Sequence, residues 1–297
     1  MSLTLSAYQE RAKATDLKPA GPDGLVIALL GLVGEAGSLL TEYKKRMVDG
    51  EAHQGFQAHL AEELGDLLWY LATIATRNGL SLEDAAQRNL EKTRGRWLPP
   101  DHRAALFDEE REPAEQLPRQ FEYRYESRDV EGKAKVLLID ERGSTIGDPL
   151  TDNAYEDDGY RFHDVLHLAH AVVLGWSPVL RKLLGRKRKS NDAVDHADEV
   201  EDGARAQNAE ELVAAATYEY AARHLYLQVD HVDWDLLRLV KRITARLEVN
   251  VRTEAEWEEA MLLAFDVWRQ VRDYNGGTLR GDLVGRTLEF VPPTPAS

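Results

Sequence analysis

The sequence predicts a mainly α protein: an N-terminal helical bundle followed by an α-rich C-terminal domain with a short β-hairpin. Three observations carry this. The chain has 297 residues, enough for two cores of ordinary size. Apolar residues recur at helical spacing through most of the first 98 positions. An acidic, proline-punctuated stretch at 99–118 then precedes two β-prone runs, so the domains are placed at 1–98 and 119–290 with a linker between them.

Taken in order, residues 3–17 read as a short first helix, and KPAGPDG (18–24) as a loop dense in breakers. A second helix begins near Asp23 and carries apolar residues from Leu25 to Met47, ending at Asp49-Gly50. A third runs from Gln57 to Asn78. Ser81, with Asp84 three residues on, opens a fourth that stops before Pro99-Pro100. FEYRYE and KAKVLLID form the hairpin, with Gly132 in its turn. Helices are expected at Tyr160–Leu174, Ala193–Val229, Trp234–Leu247 and Glu254–Tyr274, and the tail VPPTPAS is expected to be disordered.

Hydrophobic residues at 43% and charged residues at 30% fit a soluble, helix-rich chain. No apolar run approaches the roughly 20 residues of a membrane span, and MSLTLSAYQERAK lacks a signal-peptide core, so a cytoplasmic protein without membrane contact is expected. With no cysteine, any metal must be held by carboxylate, imidazole, carbonyl or water. The net charge of −15 argues against a general nucleic-acid coat and leaves the basic cluster 181–189 as the place where one could be contacted.

Residues three, four or seven apart share a helix face, so Glu35, Ser38 and Glu42 line one side of the second helix, and Glu63 and Asp66 lie one turn apart on the third. Around them GLVGEAGSLL and HLAEELGDLLWYLA are mostly apolar. A carboxylate buried there costs several kcal/mol unless paired or bound to a cation. Mg²⁺ suits such a set, because it takes oxygen ligands. Gly31, Gly34, Gly37 and Gly65 would let a helix or a ligand approach closely. On spacing alone, solvated or salt-bridged helix faces explain the same acids equally well.

At these residues the chain resembles the MazG-like all-α NTP pyrophosphohydrolases, marked by ExxE on one helix and ExxD on the next. Glu35-Ala-Gly-Ser38 occupies the first motif and Glu63-Leu-Gly-Asp66 the second, and Arg88-Asn-Leu-Glu-Lys92-Thr-Arg94-Gly-Arg96-Trp97 is similar to the family's closing NxxKLxxR run. The resemblance covers residues 1–98. It implies hydrolysis of a nucleoside triphosphate to monophosphate and pyrophosphate, with Mg²⁺ (Mn²⁺ as a substitute) on Glu35, Glu63 and Asp66. Glu62 is the implied base. Lys92 would meet the phosphates, with Lys44, Lys45 and Arg96 as weaker candidates, and Asn89 would contact the nucleotide or orient a ligand. A homodimer or homotetramer is implied as well. Ser38 departs from the pattern by replacing the second acid, and Glu42, one turn further along, either substitutes for it or pairs outside with Arg46. A nucleotide-sensing or assembly module with weakened catalysis is the alternative reading.

In the C-terminal region HDVLHLAH sets His163, Asp164 and His167 on one helix. His163 and His167, four apart, can face one cation. His170 falls on the same stripe, and downstream Asp195, Glu199, Glu201, Asp202, Glu210, Glu211 and Glu219 are possible partners, with Glu199 and Asp202 foremost; such a site would make the region a separate metal-dependent hydrolase. The competing reading is hydrogen-bonded core histidines. The region resembles the C-terminal extension of some MazG-type proteins, a resemblance that brings no activity with it.

Overall fold

The computed structural model describes residues 3–98, 104–130 and 132–293, and it divides into one unit spanning 1–94 and a second spanning 95–297. In the first unit the Thr4 hydroxyl caps helix α1 (Leu5–Lys13) by accepting the Ala7 N–H. Helix α2 (Pro22–Asp49) starts on Pro22, whose missing N–H would be unpaired there anyway, and stops at Gly50, whose φ is +57°. Helix α3 (Phe56–Arg77) packs on both α1 and α2. Arg77 at its end ties down the preceding loop through the Asp16 carboxylate and the carbonyls of Lys18 and Pro19. Helix α4 (Leu82–Trp97) starts as expected, with Ser81 Oγ accepting the Asp84 N–H, and Gln9 holds its first turn by accepting from Leu82.

α2 and α3 meet at close range because Gly31 has no side chain: a Cβ there would stand 2.2 Å from the Tyr70 ring. Much of the apolar side of α2 is nevertheless exposed, including Leu30, Val33, Leu40 and Met47. Contrary to the sequence reading, one helix, Pro22–Ala52, is long and apolar enough to cross a membrane by length and composition alone. Glu35 and Glu42 interrupt its apolar run, and a carboxylate at mid-span costs about 2.5–3.5 kcal/mol on insertion scales.

The second unit is built on an antiparallel sheet of order β3-β2-β1-β4-β5, formed by β1 (Gln120–Val130), β2 (Lys133–Ile139), β3 (Thr145–Leu150), β4 (Gly276–Asp282) and β5 (Thr287–Val291). The expected hairpin is β1–β2, with Gly132 at φ +77°. The other three strands enlarge it into a sheet. Along β1, Phe121, Tyr123 and Tyr125 face the core while Glu122, Arg124 and Glu126 do not, the period of two that one buried face requires. Phe121 packs against Gly281 of β4, where an added Cβ would come within 2.1 Å of its ring.

The stretch expected as a linker packs within this unit wherever it is described: Leu106 and Leu117 join its core, and Asp108 is buried. Positions 99–103 lie outside the described residues, as do 294–297 of the tail. Helix α5 (Asp164–Ala169) continues into a π-helical turn over His170–Leu174, and α6 (Pro178–Leu183) follows, capped by Ser177. In place of one long helix over 193–229 there are α7 (Asp192–Asp195), α8 (Ala197–Val200) and α9 (Ala204–Ala221), broken where His196 adopts φ +54° and where Gly203 lies against the Glu199 carbonyl. After α10 (Trp234–Ile243), helix α11 (Glu254–Asp273) opens with a Thr253–Glu256 capping box. It buries Trp257, Met261, Phe265 and Trp268 against α5, α10 and the sheet, each contributing on the order of 1.5–3 kcal/mol.

Candidate active site

Glu35 projects from the middle of α2, and Glu63 and Asp66 from one face of α3. One ligand atom from each lies within 4.8 Å of the others. Partial burial first, and then the negative charges of Glu35, Asp66 and Glu62, raise the Glu63 carboxyl above its ordinary range. Acids held this close repel one another unless a proton or a cation intervenes. All the donors are oxygens, the set that a hard divalent cation such as Mg²⁺ prefers. Three expected ligands are therefore brought together. Around them, a Cβ added at Gly34, Gly37 or Gly65 would meet nothing within 4 Å, so these glycines border open space, whereas Gly31 serves helix packing.

The remaining candidates divide. Glu62 is exposed and near enough to Glu63 to act on it electrostatically. Lys44, Asn89 and Lys92 are exposed. Lys45 is exposed too, but pairs with Glu42. Glu42 takes neither of its expected roles. It is buried, accepts from Lys45 and meets His53 and His59 at 2.9 and 3.0 Å, while Arg46 pairs with Glu51 instead. Those three partners, Lys45 foremost, hold the Glu42 carboxyl down at about 2. Arg96 leaves the phosphate-facing set: it is buried in the second unit, 3.0 Å from Glu258, with its guanidinium over the Trp97 and Trp234 rings. Arg96 is thus a packing residue and not a phosphate contact.

In the second unit His163, Asp164 and His167 converge on α5, with one ligand atom from each within 4.8 Å. The acids beside them are Glu210 and Glu211 of α9, not the expected Glu199 and Asp202. Glu199 lines a cavity of about 540 Å³ with Arg205, Arg242 and Arg246. Asp202 is fully buried and binds Arg188 through both oxygens, at 2.7 and 2.8 Å. The basic cluster is drawn inward at two positions. Arg181 donates to Asp108 at 2.6 Å, and Arg188 also reaches Glu248. Both guanidiniums are buried and ion-paired, so neither belongs to a solvent-facing basic patch. Glu210 and Glu211, two of the further acids that the sequence offers, are the ones α9 brings to α5.

A family model described as the MazG nucleotide pyrophosphohydrolase domain matches residues 28–97, and one described as the MazG C-terminal domain matches residues 102–294. The chain is also similar to the Gene 37 protein of Mycobacterium phage L5, 38% identical over 96 residues, which cover 30% of this chain and 84% of that protein. No solved structure matches it. With the acids of α2 and α3 converging inside the first matched span and the mixed sheet-and-helix unit filling the second, the chain belongs to the MazG family, joining its nucleotide pyrophosphohydrolase domain to its C-terminal domain.

Proposed function

We propose that the first unit hydrolyses nucleoside triphosphates, adding water across the bond between the α- and β-phosphates and releasing a monophosphate and pyrophosphate. The observation that carries this reading is the convergence of Glu35, Glu63 and Asp66 between two helices, with the Glu63 carboxyl raised by its neighbours. Glu35, Glu63 and Asp66 would hold Mg²⁺, or Mn²⁺ in its place, and the bound cation would neutralise phosphate oxygens and acidify water. Glu62, outside the converging trio, accepts the proton that the attacking water gives up. Lys92 and Lys44 supply positive charge to the phosphates, Lys45 does so if it exchanges Glu42 for phosphate, and Asn89 presents an amide to the nucleotide.

The exposed apolar face of α2 supports self-association into a homodimer or homotetramer, because a second copy covering Leu30, Val33 and Leu40 removes them from water. Such an assembly would work in the cytoplasm. Ser38 supports a second reading, in which nucleotide is bound without turnover, since the trio holds one acid fewer than the motif it resembles. Pyrophosphate release from a panel of nucleotides with Mg²⁺ separates the two: hydrolysis abolished by Glu63→Gln supports the first, and tight binding with no product supports the second.

A further inference from the structure

We infer that the second unit binds a divalent transition-metal ion through His163, Asp164, His167 and Glu211, a centre distinct in ligands and in place from the acids of α2 and α3. The ring of His167 is 1% exposed, yet neither of its nitrogens makes a hydrogen bond among the described residues. Each lies near a carboxylate but off the hydrogen-bond direction: Nδ1 is 3.0 Å from Glu210 Oε1 and Nε2 is 3.4 Å from Glu211 Oε2. A buried imidazole left in that condition is destabilising, because its lost contact with water is not replaced. A cation on Nε2 removes the cost on that side.

His163, Asp164 and His167 gather their ligand atoms in one place, and Glu211 stands beside His167, so small side-chain shifts bring all four to one ion. Atoms bound at about 2.1 Å to a common metal are separated by roughly 3.0–4.2 Å. His167 Nε2 to Glu211 Oε2 is 3.4 Å and His163 Nε2 to Asp164 Oδ1 is 3.7 Å, and the His163, Asp164 and His167 ligand atoms lie within 4.8 Å of one another. His163 is also set for the task. Its Nδ1 lies 2.9 Å from the Tyr160 carbonyl, which can only accept, so the proton sits on Nδ1 and Nε2 presents its lone pair inward. The Tyr160 ring stacks on the imidazole at 4.5 Å and fixes its plane.

Behind the ligands stands Glu210, fully buried, held by the Ser177 hydroxyl at 3.0 Å and the Val179 N–H at 2.9 Å. Its Oε1 faces His167 Nδ1, the arrangement of carboxylate, imidazole and metal that orients metal-binding histidines. Among the described residues no lysine or arginine pairs with Asp164, Glu210 or Glu211; Glu210 Oε1 also meets His170 Nδ1 at 3.2 Å, which leaves Asp164 and Glu211 without a fixed cation. The π-helical turn begins at His170, directly after the ligand helix, and such turns concentrate at functional sites. The Glu211 side chain is 46% exposed, which gives an ion its way in and leaves room for water as a further ligand. Two imidazoles with two carboxylates suit Zn²⁺, Mn²⁺ or Fe²⁺ better than Mg²⁺.

The test uses the full chain carrying Glu63→Gln and Asp66→Asn, so that the first unit contributes no ion. After chelation the protein is titrated separately with Zn²⁺, Mn²⁺, Fe²⁺ and Mg²⁺, bound metal is counted by mass spectrometry, and Co²⁺ is added for its visible absorption. One transition-metal equivalent per chain is expected, with a Co²⁺ spectrum of nitrogen and oxygen ligation and at least tenfold weaker Mg²⁺ binding. Glu211→Gln, half exposed and therefore tolerated by the fold, should weaken transition-metal binding at least tenfold, and His163→Ala should abolish the equivalent. Less than 0.2 equivalents of any transition metal, or a full equivalent retained with unchanged affinity and Co²⁺ spectrum in both variants while circular dichroism is unaltered, overturns the assignment.

Discussion

Glu63 on α3 and Glu35 on α2 face each other across the two helices, a carboxylate oxygen of each within 4.8 Å of the other, and the Glu35 charge helps raise the Glu63 carboxyl. Without a cation the site is therefore a point of repulsion held together by helix packing. Replacing Glu63 with Gln removes one charge and keeps the shape. The metal-free thermal midpoint of Glu63→Gln should equal or exceed that of the parent, while Mg²⁺ no longer raises it. Differential scanning calorimetry with and without Mg²⁺ reads both effects, and a Mg²⁺-dependent rise that survives the substitution would contradict the ligand role.

The raised Glu63 carboxyl fixes the sign of a pH effect. Its folded pKa exceeds the unfolded value of about 4.3, so its contribution to stability is complete below that value and is lost as pH rises through the folded pKa. The metal-free first unit should thus lose stability on going from mildly acidic to neutral pH. Saturating Mg²⁺ should reverse the trend, because only the ionised carboxylates bind it. Urea midpoints measured across that range with and without the cation check the sign.

Asp108 gives the opposite slope in the second unit. Burial opposes its ionisation, but Arg181, the Leu117 N–H and Arg119 outweigh burial and hold its carboxyl below the ordinary range. Its contribution is present above an unfolded pKa of about 3.9 and is lost as pH falls through the lower folded value. Asp108→Asn should cost roughly 3 kcal/mol at neutral pH, since Arg181 then keeps a buried charge with poorer pairing, and should flatten acid unfolding below about pH 4. Chemical denaturation at pH 7 and pH 3 measures both.

Packing and site are linked at Gly31. Gly31→Ala drives a Cβ into the Tyr70 ring and must push α3 away from α2. A cost of about 1–3 kcal/mol is expected, along with Mg²⁺ affinity reduced several-fold because Glu63 and Asp66 move with α3. Gly34→Ala, which meets nothing within 4 Å, should leave stability nearly unchanged. Isothermal titration of the two variants separates the cases.

The first unit was largely legible because its elements follow local rules. Helical spacing placed α2 and α3, Ser81 marked the start of α4, and the residues at 35, 63 and 66 converge as their periodicity and motif required. The failures are places where long-range pairing decides. TIGDPL, GGTLRGD and TLEFV are short and carry glycine or little alternation, so their strand character comes from pairing with β1 and β2 and between β4 and β5, which no local window contains. Arg96, Arg181 and Arg188 look like solvent-facing charges until Glu258, Asp108 and Asp202 are seen to meet them across long sequence separations. His163 and His167 face one way as their spacing predicts, but the acids beside His167 come from α9, and local sequence cannot choose among the eight carboxylates from Asp195 to Glu219.

Pyrophosphate release tests the central claim most directly. The full chain with Mg²⁺ and each canonical nucleoside triphosphate should yield monophosphate and pyrophosphate in equal amounts, with no free phosphate. Glu63→Gln should lower the rate at least 100-fold, and the Glu211→Gln substitution in the second unit should leave the product pair unchanged. Nucleotide bound tightly with no pyrophosphate formed, or turnover undiminished in Glu63→Gln, would contradict the account.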